Sequence, residues 1–335
     1  MKFLIVGLGS MGKRRIRNLR AISAGEIIGF EIQEQRRAEV EKEYGIKAYA
    51  GFDEGLAQKP DAVIISTPPN LHMQYALEAA RRGLHFFMEA SVVLDKDMDK
   101  LISLCKDKPL VAAPSATMRF HPSIQVMKRL VDEGAIGKVL AFNYHSGQYL
   151  PDWHPWEDYR KYYVARHETG GCREIVPFEL SWITWLMGPV RNISCILGKL
   201  TKLEIDIDDI YQLLLQFENG AIASMQVDVI SRVAYRYFKM VSEEGVIVWD
   251  WNRKTVSLYT ASSKEWKEYP QSSGKVVEGY VMEDDMYVSE MQHFVGAIQG
   301  KHKYMYSLED DKRILELLNA AEKSWKDRRT LEMKN

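Results

Sequence analysis

The strongest constraint on the fold is a glycine-rich turn that follows the first apolar run of the chain. Residues 3–6 read Phe-Leu-Ile-Val, and the next six contain Gly7, Gly9 and Gly12 in the spacing G-x-G-x-x-G. In this motif the first glycine allows a tight turn and the second lets the backbone approach a pyrophosphate. The third lets the following helix pack closely on the strand. The spacing therefore predicts a strand, a phosphate-binding turn and a helix.

The residues after the turn supply the context that this motif requires. Ile16, Leu19 and Ile22 recur at helical spacing, and a second apolar run at 27–30 is followed by the acid Glu31. A carboxylate roughly 20 residues past the glycines binds a ribose hydroxyl in dinucleotide-binding folds. We predict dinucleotide binding, with an ordinary α/β domain with glycine turns as the alternative. The expected contacts on the turn are Gly7, Gly9, Ser10, Met11 and Gly12.

Strands and helices alternate over the first 120 residues, which predicts a doubly wound parallel sheet. The apolar runs at 62–65 and 85–88 are typical of strands that are buried on both faces. Because the carboxyl ends of parallel strands meet at one edge, the loops that follow them should converge with the glycine turn on one crevice. The cofactor contacts expected there are Thr67, Pro68, Asn70 and His72, although Asn70 could instead be a helix N-cap.

After residue 120 the pattern changes to alternating apolar and polar residues. The runs 211–217 and 222–229 flank Asn219-Gly220, which is a strong signal for a hairpin turn. Further strands are predicted at 139–146, 190–199, 235–242, 246–251 and 255–260, then helices at 284–298 and 308–325 and a frayed end of ten residues. The sequence thus predicts an α/β protein with a Rossmann domain over 1–120. The remainder, 121–335, should form a second α/β domain with a largely antiparallel open sheet.

Composition argues against several classes of function. The 45 basic and 46 acidic residues nearly cancel, so neither nucleic acid nor an anionic membrane is expected as the main partner. Cys105, Cys172 and Cys195 form no C-x-x-C pair, which argues against a disulfide framework and a structural metal site. The apolar start is too short to span a membrane and lacks a cleavage site, so we expect a cytoplasmic protein.

Four motifs in order resemble the glucose-fructose oxidoreductase and inositol dehydrogenase family, Gfo/Idh/MocA. They are the glycine turn, the run from Asp61 to His72, the run Arg119-Phe120-His121-Pro122, and the run from Gly134 to Val139. The resemblance covers essentially the whole chain. It implies a nicotinamide cofactor, a sugar, cyclitol or sugar-derivative substrate, and a sheet face that forms a homodimer or homotetramer contact. It also implies that Glu89 faces the nicotinamide ribose.

Two positions depart from the pattern of that family. Its members usually carry Glu-Lys-Pro after the strand at 85–88, and the lysine assists proton transfer at the hydroxyl being oxidised. This chain has Glu89-Ala90-Ser91. A later stretch, in which a glycine pair precedes an Asp and then the catalytic His, has Glu174 and Phe178 at those two places. The cofactor half of the pattern therefore matches, and the usual acid/base half does not.

Oxidation of an alcohol by a nicotinamide needs a group that takes the hydroxyl proton as the hydride leaves. Glu174 and Glu179 begin a helix rich in aromatic residues, where partial desolvation could raise a carboxyl pKa toward neutrality. Both could instead be helix-start charges favoured by the dipole. His154 is a third candidate, in a stretch that interleaves aromatic and polar residues as a sugar site does. The expected substrate contacts are Arg119, His121, Trp153, Trp156 and Arg173, with a capping role open for His121.

The choice between the two nicotinamide cofactors depends on the end of the second strand. Glu31 favours NAD, because a carboxylate repels the 2′-phosphate of NADP. NADP stays possible, since Arg36 and Arg37 could pair with that phosphate. Three functions remain open: a sugar oxidoreductase with a non-lysine acid/base, an enzyme that uses its cofactor transiently around an elimination, epimerisation or hydrolysis, and a catalytically silent binding or regulatory protein.

Overall fold

The structure, a computed structural model, describes residues 1–153, 158–271, 274 and 284–333. The chain forms two compact units: Met1–Thr117 with Asp284–Arg313, and Met118–Glu283 with Ile314–Asn335. The segment 284–313 lies with the first unit, whereas the predicted division at residue 120 assigned it to the second. The physical reason is that Met291 and Phe294 pack into the hydrophobic core of that unit.

The first unit is built on a six-stranded parallel sheet, as predicted. Its strands are β1 (Lys2–Val6), β2 (Glu26–Phe30), β3 (Ala48–Tyr49), β4 (Ala62–Ile65), β5 (His85–Met88) and β6 (Ala112–Pro114). They lie in the order β3-β2-β1-β4-β5-β6, and each neighbouring pair is parallel. The strand order reverses between β1 and β4, which is where doubly wound sheets bind dinucleotides.

Helices connect the strands of this sheet. They are α1 (Ser10–Ala21), α2 (Glu34–Tyr44), α3 (Phe52–Leu56), α4 (His72–Arg81) and α5 (Met98–Lys106). Phe3 and Ile5 on β1 are fully buried with Ile16 and Leu19 of α1, so the helical spacing read from the sequence marks the face that packs on the sheet.

The second unit contains a nine-stranded mixed sheet, together with helices α6 (Pro122–Asp132) and α7 (Cys172–Met187). Its strands are β7 (Val139–Tyr149), β8 (Val190–Gly198), β9 (Ile210–Phe217), β10 (Ile222–Asp228), β11 (Ile230–Ser242), β12 (Gly245–Asp250), β13 (Thr255–Thr260), β14 (Trp266–Pro270) and β15 (Leu331–Glu332). They lie in the order β14-β13-β12-β11-β7-β10-β9-β8-β15. The pair β7–β10 is parallel and the other pairs are antiparallel. The largely antiparallel open sheet is thus confirmed.

The Asn219-Gly220 turn joins β9 to β10, and Gly220 has a φ of +90°. The predicted hairpin is therefore confirmed at the position of its turn residues. The last helix of the chain, α9, spans Leu308–Asp327 and follows α8 (Asp285–Ile298). The expectation of ten frayed residues at the end is wrong for β15, because Leu331 pairs with Ile193 of β8.

The two faces of the nine-stranded sheet differ in burial. Tyr144 of β7 and Phe238 of β11 are buried, and both rings contact the fully buried Trp182 of α7. The alternate residues on the same strands point to the opposite face, where Tyr237 and Val241 are exposed. Within the part of the chain that the structure describes, no helix is long and apolar enough to cross a membrane.

Candidate functional site

The three glycines of the first turn meet different steric conditions. Gly7 has a φ of +88°, and a Cβ there would lie 2.8 Å from the backbone oxygen of Ser66. A Cβ on Gly12 would collide with the backbone oxygen of Gly7, so only glycine lets α1 pack this closely on the turn. At Gly9 the nearest atom to a Cβ would be Nη1 of Arg36, at 3.5 Å. The turn is therefore open beside its middle glycine.

Helix α1 begins directly at this open position. Gly9 is its N-cap, no side chain caps it, and its first turn contains no acidic residue. The N–H groups of a first helical turn have no acceptor within the helix, and the helix dipole adds partial positive charge there. The turn is therefore suited to bind an anion such as a pyrophosphate.

Glu31 follows β2 and is connected directly to the glycine turn. Its buried carboxylate accepts the N–H of Leu8 at 3.0 Å, and Nη1 of Arg36 lies 4.0 Å from the same oxygen. The guanidinium of Arg37 instead donates to the carbonyls of residues 31 and 32. Of the two arginines that could meet a 2′-phosphate, Arg37 is therefore bound to backbone, while Arg36 lies beside the carboxylate.

The loop after β4 forms part of a cleft in the first unit. Asn70 and His72 line this cleft together with Met88 and Ser91. His72 is buried, one ring nitrogen lies 2.9 Å from the carbonyl of Thr67, and burial lowers its pKa. The alternative that Asn70 caps a helix is wrong, because α4 has Leu71 at its N-cap position. Contact of Thr67, Pro68, Asn70 and His72 with a cofactor remains a prediction.

Glu89 follows β5 and forms an ion pair. Nε and Nη2 of Arg15 donate to its two carboxylate oxygens at 2.7 and 2.8 Å, and the Ser66 hydroxyl donates to one of them at 3.2 Å. About a tenth of the Glu89 side chain, 11%, is exposed. The expected contact with a nicotinamide ribose would therefore use this small exposed edge. Ala90, at the place of the family's lysine, has no group that exchanges protons.

Glu174 lies in the first turn of α7 in the second unit. The Tyr163 hydroxyl donates to its Oε1 at 2.8 Å, while its Oε2 is buried and has no hydrogen-bond partner among the described residues. Desolvation raises the pKa of Glu174 to about 7, against the opposing effect of the Tyr163 hydrogen bond. A carboxyl group with this pKa can take up and release a proton near neutral pH.

Glu179, the second acid/base candidate, has a different role. Its fully buried carboxylate accepts hydrogen bonds from Tyr144 at 2.6 Å, Ser146 at 3.2 Å, Trp182 at 2.8 Å and Arg236 at 2.9 Å. Four donors saturate the two oxygens, so no acceptor position is left for a substrate proton. We therefore correct this assignment: Glu179 joins α7 to β7 and β11.

Replacement of Glu179 by Ala should lower the free energy of unfolding by about 3–5 kcal/mol, because it removes one partner of a buried ion pair with the Arg236 guanidinium. Chemical denaturation measures this change. The control is Glu204→Ala, which removes an exposed partner of Arg160 and should cost about 0–1 kcal/mol. Equal losses for the two variants would contradict the role of Glu179.

Three of the predicted substrate contacts are also used within the second unit. Arg119 is buried and donates twice to the carbonyl of Ser181, at 3.1 and 2.9 Å. Arg173 donates to Glu322 at 2.6 Å. His121 accepts the N–H of residue 123 at the start of α6, so the capping role left open by the sequence is the one observed. These bonds give each side chain a role in holding the fold, and contact of Arg119, His121 and Arg173 with a substrate remains a prediction.

The aromatic stretch after β7 is described only in part. Trp153 is half-buried, and its indole N–H has no acceptor among the described residues. His154 and Trp156 lie outside the described residues. Of the two predicted substrate contacts in this stretch, Trp153 and Trp156, only Trp153 therefore has a described position.

One polar cluster was not predicted from the sequence. Nε2 of His145 lies 2.6 Å from Oδ2 of Asp228, and the Tyr235 hydroxyl lies 2.5 Å from Nδ1 of the same ring. Asp228 and Tyr235 both oppose Gly147 of β7, and the missing side chain of Gly147 leaves room for the Tyr235 ring. The only signal in the sequence is a set of polar residues inside alternating strands, and strand register is needed to bring them together.

The cysteines offer no reactive thiol. Cys172 and Cys195 are buried, Cys105 is half-buried, and all three are unpaired. Desolvation raises the pKa of Cys105 to about 11 and that of Cys195 to about 12, and it also raises the pKa of Cys172. A thiol with a raised pKa is a poor nucleophile at neutral pH.

Comparison with known proteins places these observations in a family. Residues 1–115 match the oxidoreductase family with an NAD-binding Rossmann fold, and residues 124–248 match the GFO/IDH/MocA C-terminal domain. The two matched regions follow one another and together cover most of the chain. The cofactor-binding fold predicted from the glycine turn is thus confirmed.

Several relatives act on sugars or cyclitols, according to their names. Levoglucosan dehydrogenase of Pseudarthrobacter phenanthrenivorans is 24% identical over 67% of this chain and 64% of its own length. Myo-inositol 2-dehydrogenase of Thermotoga maritima is 25% identical over 99% of this chain and 98% of its own. A solved structure of a levoglucosan dehydrogenase in complex with NADH matches with a TM-score of 0.87 at 19% identity, over 100% of this chain and 99% of that one.

Another relative has a different activity in its name. 2,7-Anhydro-N-acetylneuraminate hydratase of Mediterraneibacter gnavus is 29% identical over 38% of this chain and 33% of its own length. The relatives therefore include both dehydrogenases and a hydratase. On the two matched regions and their order, the chain belongs to the Gfo/Idh/MocA family of oxidoreductases.

Proposed function

We propose that this protein is an NAD-dependent oxidoreductase acting on a CH–OH group of a sugar, cyclitol or sugar-nucleotide derivative, with Glu174 as its acid/base. The observation that carries the proposal is the Glu174 carboxyl, which has a pKa of about 7 and one oxygen with no hydrogen-bond partner among the described residues. The family supplies the reaction type, and this carboxyl supplies a group that can replace the missing lysine and histidine.

The residues of the first turn fit a dinucleotide. The open position at Gly9 and the first turn of α1 would hold the pyrophosphate, and Glu31 would accept a hydroxyl of the adenosine ribose. A buried carboxylate at this place disfavours the 2′-phosphate of NADP, and Arg36 already lies beside that carboxylate. These contacts support NAD over NADP.

In the oxidative direction the C–H hydride of the alcohol passes to the nicotinamide, which is the chemistry that the bound cofactor supplies. The O–H proton passes to ionised Glu174, so that a carbonyl compound and a protonated carboxyl result. Tyr163 donates to Oε1 and orients the carboxylate, while Oε2 is the oxygen proposed to accept the proton. Glu174 returns the proton when the reaction runs in reverse.

Formation of reduced nicotinamide tests this proposal. We expect absorbance of NADH to increase with at least one member of a panel of anhydrosugars, inositols, aldoses and sugar nucleotides, and to increase less with NADP in place of NAD. Glu174 must be ionised to accept a proton, so the rate should rise with pH through about 7. If NAD binds and raises the melting temperature but no substrate gives NADH, the oxidoreductase proposal is contradicted.

A second candidate is an enzyme that oxidises and re-reduces its substrate, so that no NADH accumulates. The hydratase relative favours it, since its name describes a reaction without net redox change. Product analysis by chromatography, with NAD present and no absorbance change, would distinguish this activity. Stabilisation by a sugar without any turnover would instead indicate a silent binding protein.

The exposed face of the nine-stranded sheet supports a homo-oligomer. Ile222, Ala141 and Val241 lie side by side on β10, β7 and β11, and Leu214 on β9 is 59% exposed. Apolar side chains that lie together on an exposed face are typical of a protein contact. We propose that a second copy of the chain covers this face in a homodimer or homotetramer. Light scattering should therefore give a molar mass of at least two chains.

A further inference from the structure

The carboxylate of Glu89 is the exposed end of a buried charge network in the first unit. Arg15 of α1 is fully buried, and its guanidinium donates to both oxygens of Glu89. The same guanidinium rests on the ring of Phe87, with its carbon 4.5 Å from the ring centroid. A fork of two parallel hydrogen bonds fixes the plane of a carboxylate as well as its distance.

The network continues to Glu290 on α8, much later in the chain. Nη2 of Arg15 lies 3.1 Å from Oε2 of Glu290, so one nitrogen contacts both carboxylates. Glu290 is itself fully buried and fixed by three further donors in residues 115–117. They are the Ser115 hydroxyl at 3.1 Å, the Ala116 N–H at 2.7 Å and the Thr117 hydroxyl at 2.7 Å. Glu290 is therefore an immobile anchor, and Arg15 is held between two carboxylates.

The position of Glu89 in the sheet relates this network to one half of the cofactor. A dinucleotide lies across the carboxyl ends of the strands at the point where strand order reverses, which here is between β1 and β4. Glu31, at the end of β2, is on the side of the adenosine half. The nicotinamide half must then extend over the ends of β4 and β5, where Ser66 and Glu89 lie.

We propose that Glu290 is a positioning residue for the nicotinamide half of NAD, because it fixes Arg15, which in turn sets the direction of the Glu89 carboxylate. This inference rests on the proposed NAD binding. Without the charge of Glu290, the Arg15 guanidinium would lose one of the two carboxylates that hold it, and the direction of the Glu89 carboxylate that it orients would no longer be fixed. Contacts with the nicotinamide riboside would weaken, while contacts at the glycine turn would not.

Affinities for two nucleotides, measured by calorimetry on the full chain, distinguish a positioning role of Glu290 from a general destabilisation of the first unit. ADP carries the adenosine and both phosphates but lacks the nicotinamide riboside. We expect Glu290→Gln to raise the Kd for NAD roughly tenfold and that for ADP less than about twofold. Glu89→Gln should raise the Kd for NAD in the same selective way. The double variant should bind NAD no more weakly than the weaker-binding single variant, because the two residues act through one contact.

The matched control is Asp284→Asn. Asp284 also forms an ion pair with α1, 2.9 Å from Nε of Arg14, and its side chain is only 13% exposed. Its ion pairs among the described residues are with Arg14 and Arg17, which lie outside the network of Arg15, Glu89 and Glu290, so the ratio of the two affinities should stay at the wild-type value. A changed ratio in Asp284→Asn, or an equal loss of NAD and ADP affinity in Glu290→Gln, would overturn the proposal.

Two further outcomes are distinguishable. If the wild-type chain binds neither nucleotide, the proposed function fails as a whole. If it binds both and Glu89→Gln keeps the wild-type ratio, only the positioning role fails. Should Glu290→Gln not fold, Arg15→Lys replaces it, because a lysine keeps the charge but cannot form the two-pronged contact. The same selective loss of NAD affinity is expected, and an unchanged ratio would overturn the proposal.

Discussion

Replacement of Glu174 by Gln is expected to lower kcat for sugar oxidation by about 10²–10⁴-fold, because the amide cannot accept the hydroxyl proton. Gln keeps the size of the side chain and its hydrogen bond with Tyr163. Affinity for NAD should be unchanged, since the glycine turn and Glu31 are untouched. Steady-state kinetics with the substrate identified from the panel measures the first effect, and calorimetry with NAD measures the second.

The same variant is expected to be more stable than the wild type at high pH, although it is less active. The folded-state pKa of Glu174, about 7, is above the usual 4.5, so the folded chain keeps a proton that the unfolded chain has released. Stability is therefore lost as pH rises from about 4.5 to 7, by up to about 3 kcal/mol. Glu174→Gln removes this loss and should unfold at higher denaturant concentration than wild type at pH 8, with little difference at pH 4.

Tyr163→Phe provides the matched control. It removes the hydrogen bond that favours the ionised carboxylate, so the midpoint of the pH–rate profile should move upward while turnover at high pH is retained. A Glu174→Gln enzyme with full activity, or a profile whose midpoint does not respond to Tyr163→Phe, would remove Glu174 from the proposed chemistry.

Gly9→Ala should weaken NAD binding at least roughly tenfold without destabilising the protein, whereas Gly12→Ala should both weaken NAD binding and destabilise the fold. Gly9 has φ −73° and ψ −161°, which alanine adopts, and the nearest atom to its Cβ would be 3.5 Å away. The added methyl group would instead occupy the space beside the turn that a pyrophosphate needs. At Gly12 the methyl group would collide with the Gly7 carbonyl and force α1 away from the turn. This should lower the free energy of unfolding by about 1–3 kcal/mol or more.

Thermal unfolding and NAD calorimetry on both variants check this pair. Gly9→Ala should melt close to the wild-type temperature and bind NAD at least roughly tenfold more weakly, which identifies a binding effect without a folding effect. Wild-type affinity in Gly9→Ala would mean that the open side of the turn does not face the cofactor.

The fold was largely predictable because its strands are continuous or alternating apolar runs. The strand at 85–88 was predicted with its observed bounds, and the Asn219-Gly220 turn marked the hairpin of β9 and β10. The strands that were missed lack such a signal. In β14 four of five residues are exposed, and β15 has only two residues, so backbone pairing with β13 and β8 defines them.

The candidate site was predictable only where a motif fixes local geometry. The glycine turn requires no distant residue, so its shape could be read directly from the spacing. Arg119, Arg173 and Glu179 are equally polar in the sequence, yet each is bound by a partner that lies between 33 and 149 positions away. Burial and register decide whether such a side chain holds the fold or meets a ligand, and neither can be read from spacing.

The position of α8 also affects the order in which the chain can fold. Arg15 and Glu89 emerge early during synthesis, but Glu290, Met291 and Phe294 emerge only after most of the polypeptide. Until then the nascent Rossmann sheet leaves an apolar surface uncovered and lacks one of its counter-charges. We infer that the nucleotide-binding half cannot reach its final form during synthesis until α8 has left the ribosome.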